Sequence, residues 1–225
     1  MPNWCNNSIK ISGDKKMIST LVRVIESTKD TDDRVFQSLI GFPDHMTKAD
    51  YDRDWYDTNV GWFGTKWDVS YDTCNMEYDE TEIRLYPDTA WSPPIEFLTN
   101  LVKQYEGIEA YIFYSEGGIG FSGETKIYRD ENGDIIVDDS EHPYLEGIYL
   151  LDKDLFWNSE LESMIDSARD EITSDDEEDE DEDKKIDDAK IIEYVNENFG
   201  FVTDEDKETI IKQFKEELND QRESG

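Results

Sequence analysis

The stretch Ser92-Pro93-Pro94-Ile95-Glu96-Phe97-Leu98-Thr99-Asn100-Leu101-Val102-Lys103-Gln104-Tyr105-Glu106-Gly107-Ile108-Glu109-Ala110-Tyr111-Ile112-Phe113-Tyr114 changes its hydrophobic period partway along. Ser92 is an N-cap candidate, and Pro93 and Pro94 suit a first helical turn, whose leading N–H groups have no intrahelical partner. Ile95, Leu98, Val102 and Tyr105 recur at helical spacing until Gly107 stops them, and Ala110 to Tyr114 then reads as a buried strand. A helix leading directly into a strand is the second part of a βαβ unit, which directs attention upstream.

Upstream, the same order occurs once more. Ser8-Ile9-Lys10-Ile11-Ser12 alternates polar and apolar residues and ends at Gly13-Asp14. Ile18, Leu21, Val22 and Ile25 fall at i, i+3, i+4 and i+7, one stripe of a helix that leaves Lys15, Lys16 and Arg23 to water. Between the two halves, Trp67, Val69 and Tyr71 alternate with polar residues, as do Thr81, Ile83 and Leu85, and Asp79-Glu80 supplies the turn of a predicted hairpin. Residues 30–65 show no clean period and are broken by Gly41, Pro43, Gly61 and Gly64. Their aromatic residues Phe42, Trp55, Tyr56, Trp62 and Phe63 predict an ordered but irregular insert that packs down. Downstream, Lys126-Ile127-Tyr128 and Ile135-Ile136-Val137 flank Asn132-Gly133, a tight-turn pair in which both residues tolerate positive φ. The order through residue 115 is βαββαβ. The fold class is therefore α+β: a ferredoxin-like antiparallel sheet with two helices on one face, extended by an added β-hairpin.

Beyond residue 150 the period becomes 3.6. Leu161, Met164, Ile165, Ala168 and Ile172 form one stripe, Ile191, Ile192, Val195 and Phe199 a second, and Ile210, Ile211, Phe214 and Leu218 a third. Gly200 stops the second helix, and Thr203 with Asp206 can cap the third. The nine consecutive carboxylates Asp175, Asp176, Glu177, Glu178, Asp179, Glu180, Asp181, Glu182 and Asp183 repel one another and bury nothing, which predicts a disordered linker over 174–186. The predicted organisation is a ferredoxin-like domain over 1–150 and an acidic helical tail over 151–225.

Against 22 Lys and Arg the chain carries 57 Asp and Glu, a net charge of -35. Residues 1–50 are neutral, with seven charges of each sign, so the acidity belongs to everything after them. Such a protein repels a phosphate backbone, which argues against direct nucleic-acid binding. No apolar run reaches the ~18 residues of a membrane span and the N-terminus lacks signal-peptide features, so a cytoplasmic protein is expected. Cys5 and Cys74 stand in no Cys-x-x-Cys spacing and are expected to be buried, reduced thiols.

Motifs that resemble chemistry fail on context. Gly118-x-Gly120-x-x-Gly123 has dinucleotide-binding spacing, but a strand follows where that motif opens a helix, so a glycine-rich β-turn is the better reading. Gly120-Phe121-Ser122-Gly123 lacks the full nucleophile-elbow pattern. His45 and His142 fall in no ligand spacing and read as loop histidines. Asp130-Glu131-Asn132-Gly133-Asp134 places its glycine wrongly for a calcium loop and reads as a hairpin turn. No metal, cofactor or catalytic residue is expected. Trp4, Trp62, Trp67 and Trp91 fit either a stacking platform or packing at the core and domain edge, and in so acidic a chain packing is the expectation.

Met1-Pro2-Asn3-Trp4-Cys5-Asn6-Asn7 with Ile9-x-Ile11-x-Gly13, Trp62-Phe63-Gly64-Thr65-Lys66-Trp67-Asp68, and Thr89-Ala90-Trp91-Ser92-Pro93-Pro94 together resemble the YubB-like ferredoxin-like domain family of phage and plasmid proteins. Glu116-Gly117-Gly118 to Gly123 is similar to that family's glycine-rich segment. The likeness covers roughly residues 1–130 and implies the same fold and a mobile-element origin, while supplying no catalytic residues.

Charge and resemblance together lead to an expected non-enzymatic protein that binds and inhibits a host protein. That partner would be basic or DNA-binding; a DNA-binding or defence enzyme inhibited by acidic DNA mimicry is the narrower form of the expectation. The residues expected to carry it are the ordered carboxylates Asp52, Asp54, Asp57, Asp72, Glu77, Asp79 and Glu80, with the run 175–183 acting at longer range. The alternative is an accessory or assembly protein whose acidity serves solubility. The oligomeric state is not legible.

Overall fold

The structure, a computed structural model, describes residues 3–173 and 188–220. The predicted linker 174–186, with its acidic run, lies outside the described residues. The first elements are β1 (Trp4–Ser12), α1 (Lys15–Ser27), α2 (Val35–Ile40), α3 (Lys48–Phe63), α4 (Tyr71–Cys74), β2 (Glu77–Tyr78), β3 (Glu82–Leu85) and β4 (Asp88–Ala90). They are followed by α5 (Ile95–Gln104), β5 (Glu109–Glu116), β6 (Phe121–Arg129), β7 (Ile135–Pro143) and α6 (Tyr144–Leu151).

The sheet order is β2-β3-β1-β5-β6-β7, and every pairing is antiparallel. Its β2-β3-β1-β5 part is the ferredoxin-like order, and β6 and β7 form the added hairpin. β4 continues the line of β3 along β1, with Ile9 opposite Leu85 and Trp4 opposite Ala90. Pro87 has no N–H to give the ladder, which accounts for the break between them.

The inward residues of the sheet, among them Ile9, Ile11, Leu85, Ile112 and Ile127, share one core with α1, α2 and α5. Ile18, Leu21, Val22 and Ile25 of α1 are all buried, as their spacing predicts. Burying four such side chains contributes roughly 6–12 kcal/mol before entropy is counted. Packing of that size is what holds a 13-residue helix that is marginal in isolation. Asp14 caps it by accepting from Met17 N at 2.8 Å.

Several expectations need correction. Residues 30–65 contain two helices rather than an irregular insert. α2 is only six residues long and takes its cap from outside the segment, while α3 buries just Thr58, Asn59 and Phe63 and therefore shows no stripe. Its start is set by a Thr47–Asp50 capping box and its end by Gly64 at φ +81°. The first hairpin is present with its turn after Asp79, but the leading strand is Glu77–Tyr78. Residues 67–71 pair with no strand: Trp67 is exposed, Val69 buried and Tyr71 half-buried, and a Ser70–Thr73 capping box then opens α4. Pro94, not Ser92, occupies the cap position of α5, and the Ser92 hydroxyl donates instead to Gly64 O. In the second hairpin Gly133 alone takes positive φ, and the Asp130 carboxylate accepts from the N–H groups of Asn132 and Asp134. Its strands run back to Phe121 and on to Pro143, so His142 lies on β7 rather than in a loop.

The chain divides into two compact units after Gly147. The second contains α7 (Lys153–Leu155), a π-helical turn Phe156–Glu160, α8 (Leu161–Thr173), α9 (Asp188–Asn198) and α10 (Asp204–Asp220). α8, α9 and α10 pack on one another through Ile165, Ala168, Tyr194, Val195, Phe199, Ile210, Phe214 and Leu218. Ile192, placed on the second stripe by its spacing, is 40% exposed, and Tyr194 takes the inward position against Phe214. Thr203 caps α10 by accepting from Asp206 N.

Candidate functional site

The loop between α3 and α4 carries Lys66, Trp67 and Asp68, and side chains from several other elements hold its main chain. Asn100 donates to Trp62 O at 3.0 Å, Ser92 to Gly64 O at 2.6 Å and Asn59 to Lys66 O at 2.9 Å. The fully buried Thr65 donates its hydroxyl to Ala90 O at 3.1 Å. A buried carbonyl left unpaired is costly, so each of these contacts specifies one loop conformation.

Asp68 closes the loop. Its carboxylate accepts from Phe36 N at 2.9 Å, Gln37 N at 2.7 Å and Val69 N at 2.6 Å, which caps α2 from a distant part of the chain. Burial raises its pKa to about 6, against the opposing pull of these three N–H groups.

Trp91 sits at φ +77°, a conformation that costs a bulky L-residue of order 1–3 kcal/mol. Its N–H donates to Asn3 O at 3.0 Å, and the neighbouring Thr89 hydroxyl donates to Ser92 O at 2.7 Å. These bonds hold the strained turn, and the ring remains 38% exposed.

The outcome is a continuous row of exposed rings. Trp4 and Trp67, 48% and 39% exposed, have centroids 6.1 Å apart. Lys66 Nζ lies 4.6 Å from the Trp67 centroid and 4.5 Å from that of Trp91. Trp91 meets Tyr56 at 6.3 Å, and Tyr56 meets Trp55 at 5.9 Å. Next to Trp4 and Trp67 opens a cleft of about 440 Å³ bordered also by Arg34, Ser70, Thr73 and Asp88. The expectation of packing at the core and domain edge is corrected for the core only: Trp4, Trp67 and Trp91 pack at the edge of the unit, with much of each ring left open. Only Trp62 of that set is half-buried, with Nε1 donating to Gly41 O.

The seven ordered carboxylates are all exposed, spread over α3, α4, β2 and the turn to β3. Asp52, Asp54 and Asp57 lie on α3, the helix that carries Trp55 and Tyr56, and Asp54 pairs with Arg53 at 2.7 Å. Asp72 lies on α4 beside Thr73 of the cleft border. Glu77 is on β2, while Asp79 and Glu80 form the turn to β3. The Thr81 N–H holds the Asp79 carboxyl below its ordinary pKa, and Glu80 pairs with Lys15. The auxiliary run Asp175, Asp176, Glu177, Glu178, Asp179, Glu180, Asp181, Glu182 and Asp183 lies outside the described residues. Lys66, Arg34, Trp55 and Tyr56 were not legible as site residues, because nothing in the pattern around residues 30–65 shows which side chains face outward.

The other motifs are structural. The glycine-rich segment is the turn between β5 and β6, and the buried Glu116 carboxylate accepts from Gly118 N and Ile119 N. Those N–H groups are thus occupied by the chain itself. Both cysteines are free and buried, and burial pushes each thiol up to about 12. Among the described residues no group of three or more His, Cys, Asp or Glu is arranged to hold a metal ion, and no helix is long and apolar enough to cross a membrane.

No match to a curated protein or to a solved structure was found. Residues 47–146 match a family model described as a ferredoxin-like domain in Api92-like protein. The matched segment begins at the capping box of α3, takes in the Lys66–Trp67 loop and Trp91, and leaves β1, α1 and α2 outside. That similarity and the observed strand order identify the sheet-bearing unit as a ferredoxin-like domain.

Proposed function

We propose that this chain is a non-enzymatic binding protein that recognises a basic protein surface through the tryptophan row and the acidic helix α3 beside it. The observation that carries this reading is the line of five exposed rings, Trp4, Trp67, Trp91, Tyr56 and Trp55, on anchored main chain. Exposed apolar surface of this extent marks interaction sites, and Trp and Tyr dominate binding energy where they are central. The anchored loop lowers the ordering cost of association. The net charge of -35 attracts a basic partner over distance.

The three stretches that resemble YubB-like domains of phage and plasmid proteins supply Trp4, the Lys66–Trp67 loop and Trp91 to this face. On that footing the partner is a cytoplasmic host protein, and occupying its surface inhibits it. Competition with DNA is the narrower form of the proposal. It draws support from the exposure of Asp52, Asp54, Asp57, Asp72, Glu77, Asp79 and Glu80 on ordered elements.

The test is capture from bacterial lysate at about 0.1 M and about 0.5 M salt, between which charge screening shortens substantially. Wild type is compared with a chain carrying Trp4→Ala, Trp67→Ala and Trp91→Ala. A protein retained by wild type in both salts and lost by the variant supports the proposal, and displacement of that protein by duplex DNA supports its narrower form. Equal capture by both chains returns the protein to the accessory reading.

A further inference from the structure

We infer that the space between Trp67 and Trp91 is a receptor for an arginine side chain of the basic partner, and that Lys66 is its resident occupant, displaced on binding. The inference rests on the proposed binding face and names the group recognised there. An ammonium from the chain's own Lys66 already lies 4.6 Å and 4.5 Å from the two ring centroids, so the chemistry of cation recognition is displayed in the structure. Among the described residues Lys66 forms no ion pair, so nothing besides the two rings holds its charge.

The main chain at Lys66 is fixed by the Asn59 bond to its carbonyl, which leaves the flexible four-carbon stem free to withdraw without moving the loop. The two tryptophans are held at their rings as well, Trp67 against Trp4 at 6.1 Å and Trp91 against Tyr56 at 6.3 Å. The receptor is therefore rigid and its occupant mobile. A guanidinium is planar, stacks on aromatic faces and is more weakly hydrated than an ammonium, so it outcompetes lysine for one and the same space. Tyr56, which touches Trp91, belongs to α3 and is followed directly by the exposed carboxylate of Asp57, a charge that favours an incoming cation.

The experiment titrates N-acetyl-arginine amide into the full-length, nitrogen-15-labelled protein and follows the indole N–H signals of Trp67 and Trp91. If Lys66 holds the space through two exposed cation–π contacts, Lys66→Ala and Lys66→Gln bind the probe roughly 5- to 30-fold more tightly than wild type. Lys66→Arg binds it more weakly than wild type. Lys16→Ala, the same charge change on the exposed face of α1, leaves the affinity at these two signals unchanged. Dispersed indole signals in each variant show that it has folded. A Lys66→Ala or Lys66→Gln chain that binds no more tightly than wild type overturns the inference. So does a gain of equal size in Lys16→Ala. The underlying reading fails separately: capture of the protein partner that survives loss of Trp67 and Trp91 refutes the binding face whatever the arginine titration returns.

Discussion

Asp68 lets the anchoring of the loop be tested through pH. Its folded pKa is raised from 3.8 to about 6, because burial penalises the carboxylate more than the N–H groups of Phe36, Gln37 and Val69 relieve it. A raised folded pKa means that the native state binds the proton more tightly than the unfolded chain. The associated stability is therefore fully present below about pH 4 and is lost as pH rises through about 6, amounting to roughly 3 kcal/mol over the interval. Other carboxylates titrate in the same range, and self-repulsion in so acidic a chain also changes with pH. Asp68→Asn removes the charge at every pH and leaves that background intact, so the difference between the two proteins isolates residue 68. Denaturant unfolding followed by tryptophan fluorescence is a suitable assay, since Trp4, Trp55, Trp62, Trp67 and Trp91 all lie before Gly147 and only Trp157 lies beyond it. The stability of wild type minus that of the variant falls by roughly 3 kcal/mol between pH 4 and 6.5 and is level on either side. A difference that rises with pH would mean that the three N–H groups dominate burial, and the argument would be wrong in sign.

Three further outcomes are expected. A Cβ at Gly123 would lie 2.5 Å from Ser140 O and from the Tyr114 hydroxyl oxygen, so Gly123→Ala should destabilise the sheet unit by about 1–3 kcal/mol, read from the denaturation midpoint. Asn59→Ala removes the donor to Lys66 O and the acceptor of the Tyr51 hydroxyl, at a cost of about 1–3 kcal/mol. Accelerated amide exchange at residues 66–68 in that variant would show the loop loosened, and unchanged exchange would remove Asn59 from the anchoring argument. A fragment ending at Gly147 contains the whole sheet and its core cluster, so it should unfold cooperatively in denaturant; a gradual, featureless transition would show that the helical unit is required.

How much of this was legible depends on how local the governing contacts are. α1 and α5 announced themselves because their own spacing buries one stripe, and β5 because Ala110 to Tyr114 is apolar throughout. The cap of α2 was invisible: Asp68 lies 31 residues from Gln37, and no local pattern joins them. β1 begins at Trp4, four residues before the alternation shows. Its inward Asn7 looks out of place in a core until its amide is seen within 2.9 Å of Cys5 O, Pro87 O and Thr89 Oγ1. α3 escaped notice because a helix that buries Thr58 and Asn59 has no hydrophobic stripe to detect. The site was hidden for a related reason. Its tryptophans were found but assigned to packing, since burial of an aromatic ring outside a periodic element depends on the whole fold. The position of Trp91 depends on a positive φ that its sequence context, Ala90 and Ser92, does not advertise.

The central claim is that the tryptophan row forms the contact surface, with the surrounding carboxylates assisting. The most direct measurement is the affinity of the captured partner for four full-length chains at one salt concentration. These are wild type, Trp4→Ala/Trp67→Ala/Trp91→Ala, Asp52→Asn/Asp54→Asn/Asp57→Asn, and a chain with the acidic run 175–183 neutralised. Loss of three central aromatic anchors at ~2 kcal/mol each should weaken binding by a factor of at least about 100, even allowing for non-additivity. The α3 substitutions should weaken it less, and neutralising the run should act mainly on the association rate. A tryptophan variant that binds as tightly as wild type, beside an α3 or run variant that does not bind, would contradict the account and place recognition in the carboxylates.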